Sequence, residues 1–153
     1  FNEEKKKEDL KSEEKKLDIK KEKEVSTENI RQLKEAIELS IGNNSDHNII
    51  IEFCENVLIN ELRPLIDKYK KLISDHGVII LCAKKGDKLS FLIGVTDQLT
   101  DKIGADEIAK FASSISNGKG GGGRKDFAQS GGMLINEDDQ KRELRKFIIG
   151  KLQ

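Results

Sequence analysis

Apolar positions along the chain change period several times, and each change marks an element. In "STENIRQLKEAIELSIGNN", Ile30, Leu33, Ile37 and Ile41 recur at helical spacing. Ser26 or Thr27 is suited to cap such a helix, and Gly42-Asn43-Asn44 to end it, which predicts a helix over about 27–41. "HNIIIEFCE" (47–55) is short, β-branched and aromatic, as a buried strand is. "NELRPLIDKYKKLISDHG" returns to the helical period through Leu62, Leu65, Ile66, Tyr69 and Ile73. Pro64 is tolerable in or near its first turn, and Gly77 is a plausible stop. "VIILCAKK" and "LSFLIGVT" read as two strands joined at Gly86-Asp87-Lys88, a hairpin signal. "LTDKIGADEIAKFASSI" predicts a helix with Ile108, Phe111, Ala112 and Ile115 turned inward. A glycine-rich loop with room for a short strand follows. "INEDDQKRELRKFIIGKLQ" closes the chain as a helix, its acids first and its bases later, in accord with the helix dipole. The order predicts an α/β fold: a mixed β-sheet covered by helices.

Charge changes this picture at one end only. Charged residues make up 37 % and hydrophobic residues 35 % of the 153 residues. Residues 1–30 alone hold nine Lys and ten Asp or Glu, leaving 19 basic and 18 acidic residues for 31–153. Segment 1–24 therefore reads as a charged tether or helical extension. Leu10 and Leu17, one heptad apart, hint at a coiled coil. The domain reading is a tether over 1–24, an amphipathic helix within 25–45 and a globular domain over 46–153. The net charge is zero, so any nucleic-acid binding must come from a local patch. No apolar run is long enough to cross a membrane. The chain begins with Phe1 and has no signal-peptide pattern, so it reads as a piece of a longer protein. Cys54 and Cys82 stand singly in apolar runs, which suggests buried thiols and an intracellular setting. His47 and His76 each follow an aspartate, but two His and two Cys so spaced do not make a metal site.

The remaining candidate chemistry lies in "NGKGGGGRKDFAQSGG", Asn117 to Gly132. It is not a P-loop, because Gly120 follows Gly118-Lys119 where a hydroxyl is needed. Gly118, Gly120 and Gly123 satisfy G-x-G-x-x-G, but the run follows a helix and opens none, so the dinucleotide context is missing. A flexible linker and a structured binding loop both remain open on composition. Phe127 and Ala128 look like a return to the core.

This stretch resembles the C-terminal motif of alanyl-tRNA synthetases, in the module known as the DHH-associated domain. There a helix leads into Gly-Gly-Lys-Gly-Gly-Gly-Arg-Pro-Asp-x-Ala-Gln-x-Gly-Gly. "LRPLID" (62–67) and "LIGVTDQLTDKIGADEIAK" (92–110) resemble further family segments, so the likeness covers roughly residues 49–152. The chain departs from the pattern by one extra glycine before Arg124, by Asn117 in place of glycine and by Lys125 in place of proline. The resemblance implies a tRNA-binding domain of an alanine–tRNA ligase, which helps aminoacylation and editing cooperate during protein synthesis in the cytoplasm or an organelle. It implies no catalytic residue, metal or cofactor in this chain, the ATP, Mg and Zn belonging to the rest of the parent enzyme. The implied partners are tRNA specific for alanine and a second copy through the N-terminal helices. The implied nucleic-acid-binding set is Lys119, Gly120, Gly121, Gly122, Gly123, Arg124, Lys125, Gln129, Gly131 and Gly132. Glycine N–H groups would face phosphates as a nest does, Arg124 would fork onto one or stack on a base, and Gln129 would meet a base or brace the loop from inside. The alternatives are a substrate-recognition domain of a DHH-family phosphoesterase, or a helix-mediated dimerisation module.

Overall fold

The computed structural model describes residues 2–41, 48–73 and 76–153, with side chains described from residue 20 onward. Its elements are α1 (Asn2–Ile41), β1 (Asn48–Glu55), α2 (Ile59–Leu72), β2 (Gly77–Lys85), β3 (Lys88–Val95), α3 (Ala105–Ile115), β4 (Gly121–Gly123), β5 (Phe127–Met133) and α4 (Glu137–Leu152). The five strands form one mixed sheet in the order β1-β2-β3-β5-β4. Strands β1 and β2 are parallel and joined through α2; the other pairs are antiparallel. Helices cover both faces.

Alternation along the strands sorts side chains between two apolar clusters. Val78, Ile80 and Cys82 of β2 face one way with Phe91, Ile93 and Val95 of β3, against Ile108 and Ala112 of α3 and Leu144 and Ile148 of α4. Ile79, Leu81 and Ala83 face the other way with Leu92, against Ile30, Leu33 and Ile37 of α1 and Leu62, Ile66 and Tyr69 of α2. The unbroken apolar run of β2 follows from burial on both faces. Cys54 and Cys82 are free and buried. Burial pushes the Cys54 thiol up to about 11 and the Cys82 thiol higher still, so neither is a ready nucleophile.

Four boundaries differ from the sequence reading. Helix α1 runs without a break from Asn2, so Ser26 and Thr27 lie inside it and cap nothing. Both hydroxyls have other partners: Ser26 Oγ accepts from Leu58 N at 3.0 Å and donates to Glu61 at 3.1 Å, and Thr27 Oγ1 donates to Lys23 O at 2.8 Å. Gly77 starts β2 instead of ending α2, and its N–H donates to Thr96 Oγ1 at 3.0 Å. Pro64 is the sixth residue of α2, one turn further in than expected. It removes the N–H that Asn60 O would accept from, and both residues are exposed. Leu99 ends a 3₁₀ turn (Asp97–Leu99), and helix α3 starts only after Gly104. The expected end of α1 at Gly42-Asn43-Asn44, and His47, lie outside the described residues.

Candidate nucleic-acid interface

The glycine stretch folds into a hairpin at the sheet edge. Gly121, Gly122 and Gly123 of β4 pair with Ser130, Gln129 and Ala128 of β5. The linker reading is thereby excluded. Leaving α3, the chain turns through Asn117 with φ 52° and Gly120 with φ 101°, left-handed backbone that suits Asn and Gly. Other glycines are required by close approach. A Cβ on Gly118 would overlap the Gly131 carbonyl oxygen and Ser113 Oγ, and one on Gly121 would overlap Ser130. A Cβ on Gly122 would meet nothing within 4 Å. Most of these glycines thus let the hairpin lie against its own neighbours, while Gly122 leaves open surface.

The nest expected from the glycine N–H groups is only partly available. Gly118 N donates to Ser113 O at 2.8 Å, and Gly120 N donates to Ser113 Oγ at 2.7 Å. Ser113 is buried near the end of α3 and holds the loop from beneath. The tip is fixed as tightly. Arg124 N donates to Phe127 O at 2.8 Å, Ala105 N to Lys125 O at 2.8 Å and Val95 N to Asp126 O at 3.0 Å. Lys70 Nζ also reaches Asp126 O, at 3.1 Å. A rigid turn therefore carries Arg124 and Lys125 outward. Arg124 is 70 % exposed and pairs with Asp126 at 3.2 Å. Lys119 and Lys125 are exposed and make no ion pair among the described residues.

Phe127 is in the core, as its type suggested. Its neighbour was not legible from sequence: Arg63 of α2 lays its guanidinium 4.6 Å from the ring centroid. This cation over the ring remains exposed to solvent. The only sequence signal was an arginine inside an otherwise amphipathic helix, 64 positions before its partner. Gln129 lies on the same face of the sheet, opposite Leu92 and Gly122, with its side chain exposed. It does not brace the loop from inside. Gln140 has that role and was missed. Buried in the first turn of α4, it donates to Ser116 Oγ at 2.8 Å and Met133 O at 3.0 Å, and accepts from Ile135 N and Asn136 N. Its signal was a neutral amide directly after three acids. Gly131 and Gly132 lie in β5; a Cβ on Gly132 would overlap Ser116.

The hairpin, its helix-borne braces and the sheet behind it coincide with a known family. The DHHA1 domain matches residues 46–153. The chain belongs to the DHHA1 domain family. The chain is 36 % identical over 104 residues to an alanine–tRNA ligase of Parvibaculum lavamentivorans, covering 68 % of the chain and 12 % of that relative. It is 38 % identical over 117 residues to an alanine–tRNA ligase of Francisella tularensis subsp. holarctica, covering 76 % and 13 %. The chain thus spans about one eighth of the length of these relatives. Among solved structures, the C-Ala domain of Aquifex aeolicus alanyl-tRNA synthetase superposes with a TM-score of 0.60 at 34 % identity, over 72 % of this chain and 95 % of that one. The mixed sheet with helices on both faces is therefore the C-Ala arrangement, as the resemblance implied.

Proposed function

We propose that this DHHA1 domain is the tRNA-binding C-terminal part of an alanine–tRNA ligase, and that it holds tRNA specific for alanine through the β4–β5 hairpin. The observation that carries the proposal is the rigid hairpin tip, which presents Arg124 and Lys125 to solvent beside Phe127, with Arg63 over its ring, and a face of bare glycine backbone. RNA offers phosphates to fixed cations and 2′-hydroxyls and base edges to exposed amides such as Gln129. On this reading the domain binds and the chemistry lies elsewhere. Aminoacylation and editing, with their ATP, Mg and Zn, belong to the rest of the parent enzyme, and this domain helps both act on one cytoplasmic tRNA. The likeness to alanine–tRNA ligases favours this reading over a phosphoesterase domain.

Binding to tRNA specific for alanine across a salt series tests the proposal, beside a non-cognate tRNA and single-stranded DNA. Arg124→Ala is expected to weaken binding and to reduce the log–log salt slope by about 0.7–0.9, one phosphate contact. Equal binding with and without Arg124 overturns the assignment of the hairpin. A second role for α1, homodimerisation, is favoured by its unbroken 40 residues, about 60 Å of helix. Light scattering before and after removal of residues 1–24 checks it: an unchanged mass removes that role.

A further inference from the structure

Two cavities flank α1, and their charge separates them. One, about 420 Å³, lies along the outer edge of β1 and includes Glu52 and Glu55, which repel an anion. The other, about 460 Å³, lies between α1, the loop before α2 and the end of the β2–β3 hairpin. Val25, Val57 and Ile59 give it an apolar wall, and Val25 and Ile59 remain 47 % exposed there. Lys21, Lys85 and Lys88 stand among its lining against one carboxylate, Glu22. Lys84 also contributes to the lining, but its ammonium is engaged by Glu137 and Glu55.

Lys85 and Lys88 are directly opposite each other in the β2–β3 register, and neither makes an ion pair among the described residues. Like charges placed so repel, and a bound anion relieves the repulsion. The size is that of a small-ligand pocket. An apolar wall beside a pair of free ammonium groups suits a ligand with a flat apolar body and an anionic end.

The cavity also joins the candidate RNA face. Ser90 lines it and pairs with Gly131, and Lys88 pairs with Met133, on the side of the sheet that carries Gln129 and Gly122. From β2 to β4 is three strand spacings, about 14 Å, with β3 and β5 between. We propose that the cavity receives one unstacked nucleotide of the RNA that crosses the glycine hairpin, its base against Val25 and Ile59 and its phosphate on Lys85 and Lys88. This rests on the RNA-binding reading above.

The test uses the whole chain, labelled with ¹⁵N, and three probes: adenosine 5′-monophosphate, adenosine and inorganic phosphate. The nucleotide is expected to shift the amides of Val57, Ile59, Lys85 and Lys88, and phosphate alone to shift the lysine turn weakly. In parallel, the exposed pair Lys85→Ala with Lys88→Ala is expected to reduce the salt slope of tRNA binding by about 0.7–0.9, one phosphate. Ile59→Gln is expected to weaken the nucleotide several-fold while leaving phosphate unaffected. Phosphate shifting the site as strongly as the nucleotide overturns the base pocket. If tRNA binds through Arg124 while the cavity amides and the lysine pair are silent, the RNA reading stands and this proposal falls. If the nucleotide fills the cavity but tRNA does not bind, the RNA reading falls and this proposal with it, and the cavity is a site for a free nucleotide.

Discussion

Strands β2 and β4 belong to the same sheet and are opposites. The first seven residues of β2 are buried, under helices on both faces; all three residues of β4 are exposed. β2 is built from branched side chains that fill space, whereas β4 has no side chains at all. Glycine usually weakens a strand, through entropy and missing contacts. Here the hairpin is held instead by hydrogen bonds from α3 and α4, through Ser113, Ser116 and Gln140. The two ends of the sheet are thus made rigid in different ways. The packed end is rigid because helices fill both its faces, and the bare end can meet a ligand because its rigidity is supplied from behind.

The largest expected break in this contrast is Phe91→Ala. Phe91 is fully buried on the α3–α4 side, edge-on to Phe53 with ring centroids 6.0 Å apart. Its removal should destabilise the domain by about 3–5 kcal/mol in urea denaturation, with tRNA affinity unchanged in whatever fraction stays folded. Next is a pair of glycines in one loop. Gly118→Ala forces a methyl onto the Gly131 carbonyl and Ser113, and should cost about 1–3 kcal/mol of stability. Gly122→Ala meets open space and should shift stability by less than about 0.5 kcal/mol, so any loss of RNA binding there reports a lost contact. Equal costs for the two would erase the distinction between a glycine that serves packing and one that leaves open surface.

A modest, pH-dependent effect concerns the ion pair joining β2 to α4. Glu137 lies beside Lys84, whose hydrogen bond holds the carboxyl below its ordinary 4.5 and in turn holds the ammonium above 10.5. Glu137→Gln should cost about 1 kcal/mol or less near neutral pH. The lowered carboxyl contributes stability above pH 4.5 that disappears as pH falls through its folded value, so parent and variant should converge in acid. The raised ammonium contributes below 10.5 and loses this as pH rises through its folded value, giving a second convergence in alkali. Thermal melts across pH check both limbs; a constant difference at every pH would remove the pair as its cause.

The packed end was largely legible in sequence, because "VIILCAKK" and the Ile30–Leu33–Ile37 spacing report burial directly. Element boundaries were less so. Glycine marks an end but not which side of it: a Cβ on Gly77 would overlap Ile73, so the residue serves a close crossing between α2 and β2. Ser26 has the chemistry of a cap, yet its hydroxyl is committed to Leu58 and Glu61, more than thirty positions away. The candidate site was legible as a motif but not as a mechanism. Nothing local says that Gly118 and Gly120 spend their N–H groups on Ser113, that Arg63 lies on Phe127, or that Gln140 is the brace rather than Gln129. Each depends on contacts between separate elements.

The Gln140 brace also fixes an order of events. During synthesis the chain emerges from its N-terminal end, so β2 and β3, joined by a two-residue turn, can pair early. The glycine hairpin is made later, and the side chain that secures its exit from the sheet lies in the last helix. A nascent chain can therefore have the β2–β3 pair and α2 packed on one face before it has a locked hairpin, and the docking of α4 both completes the other face and secures the hairpin.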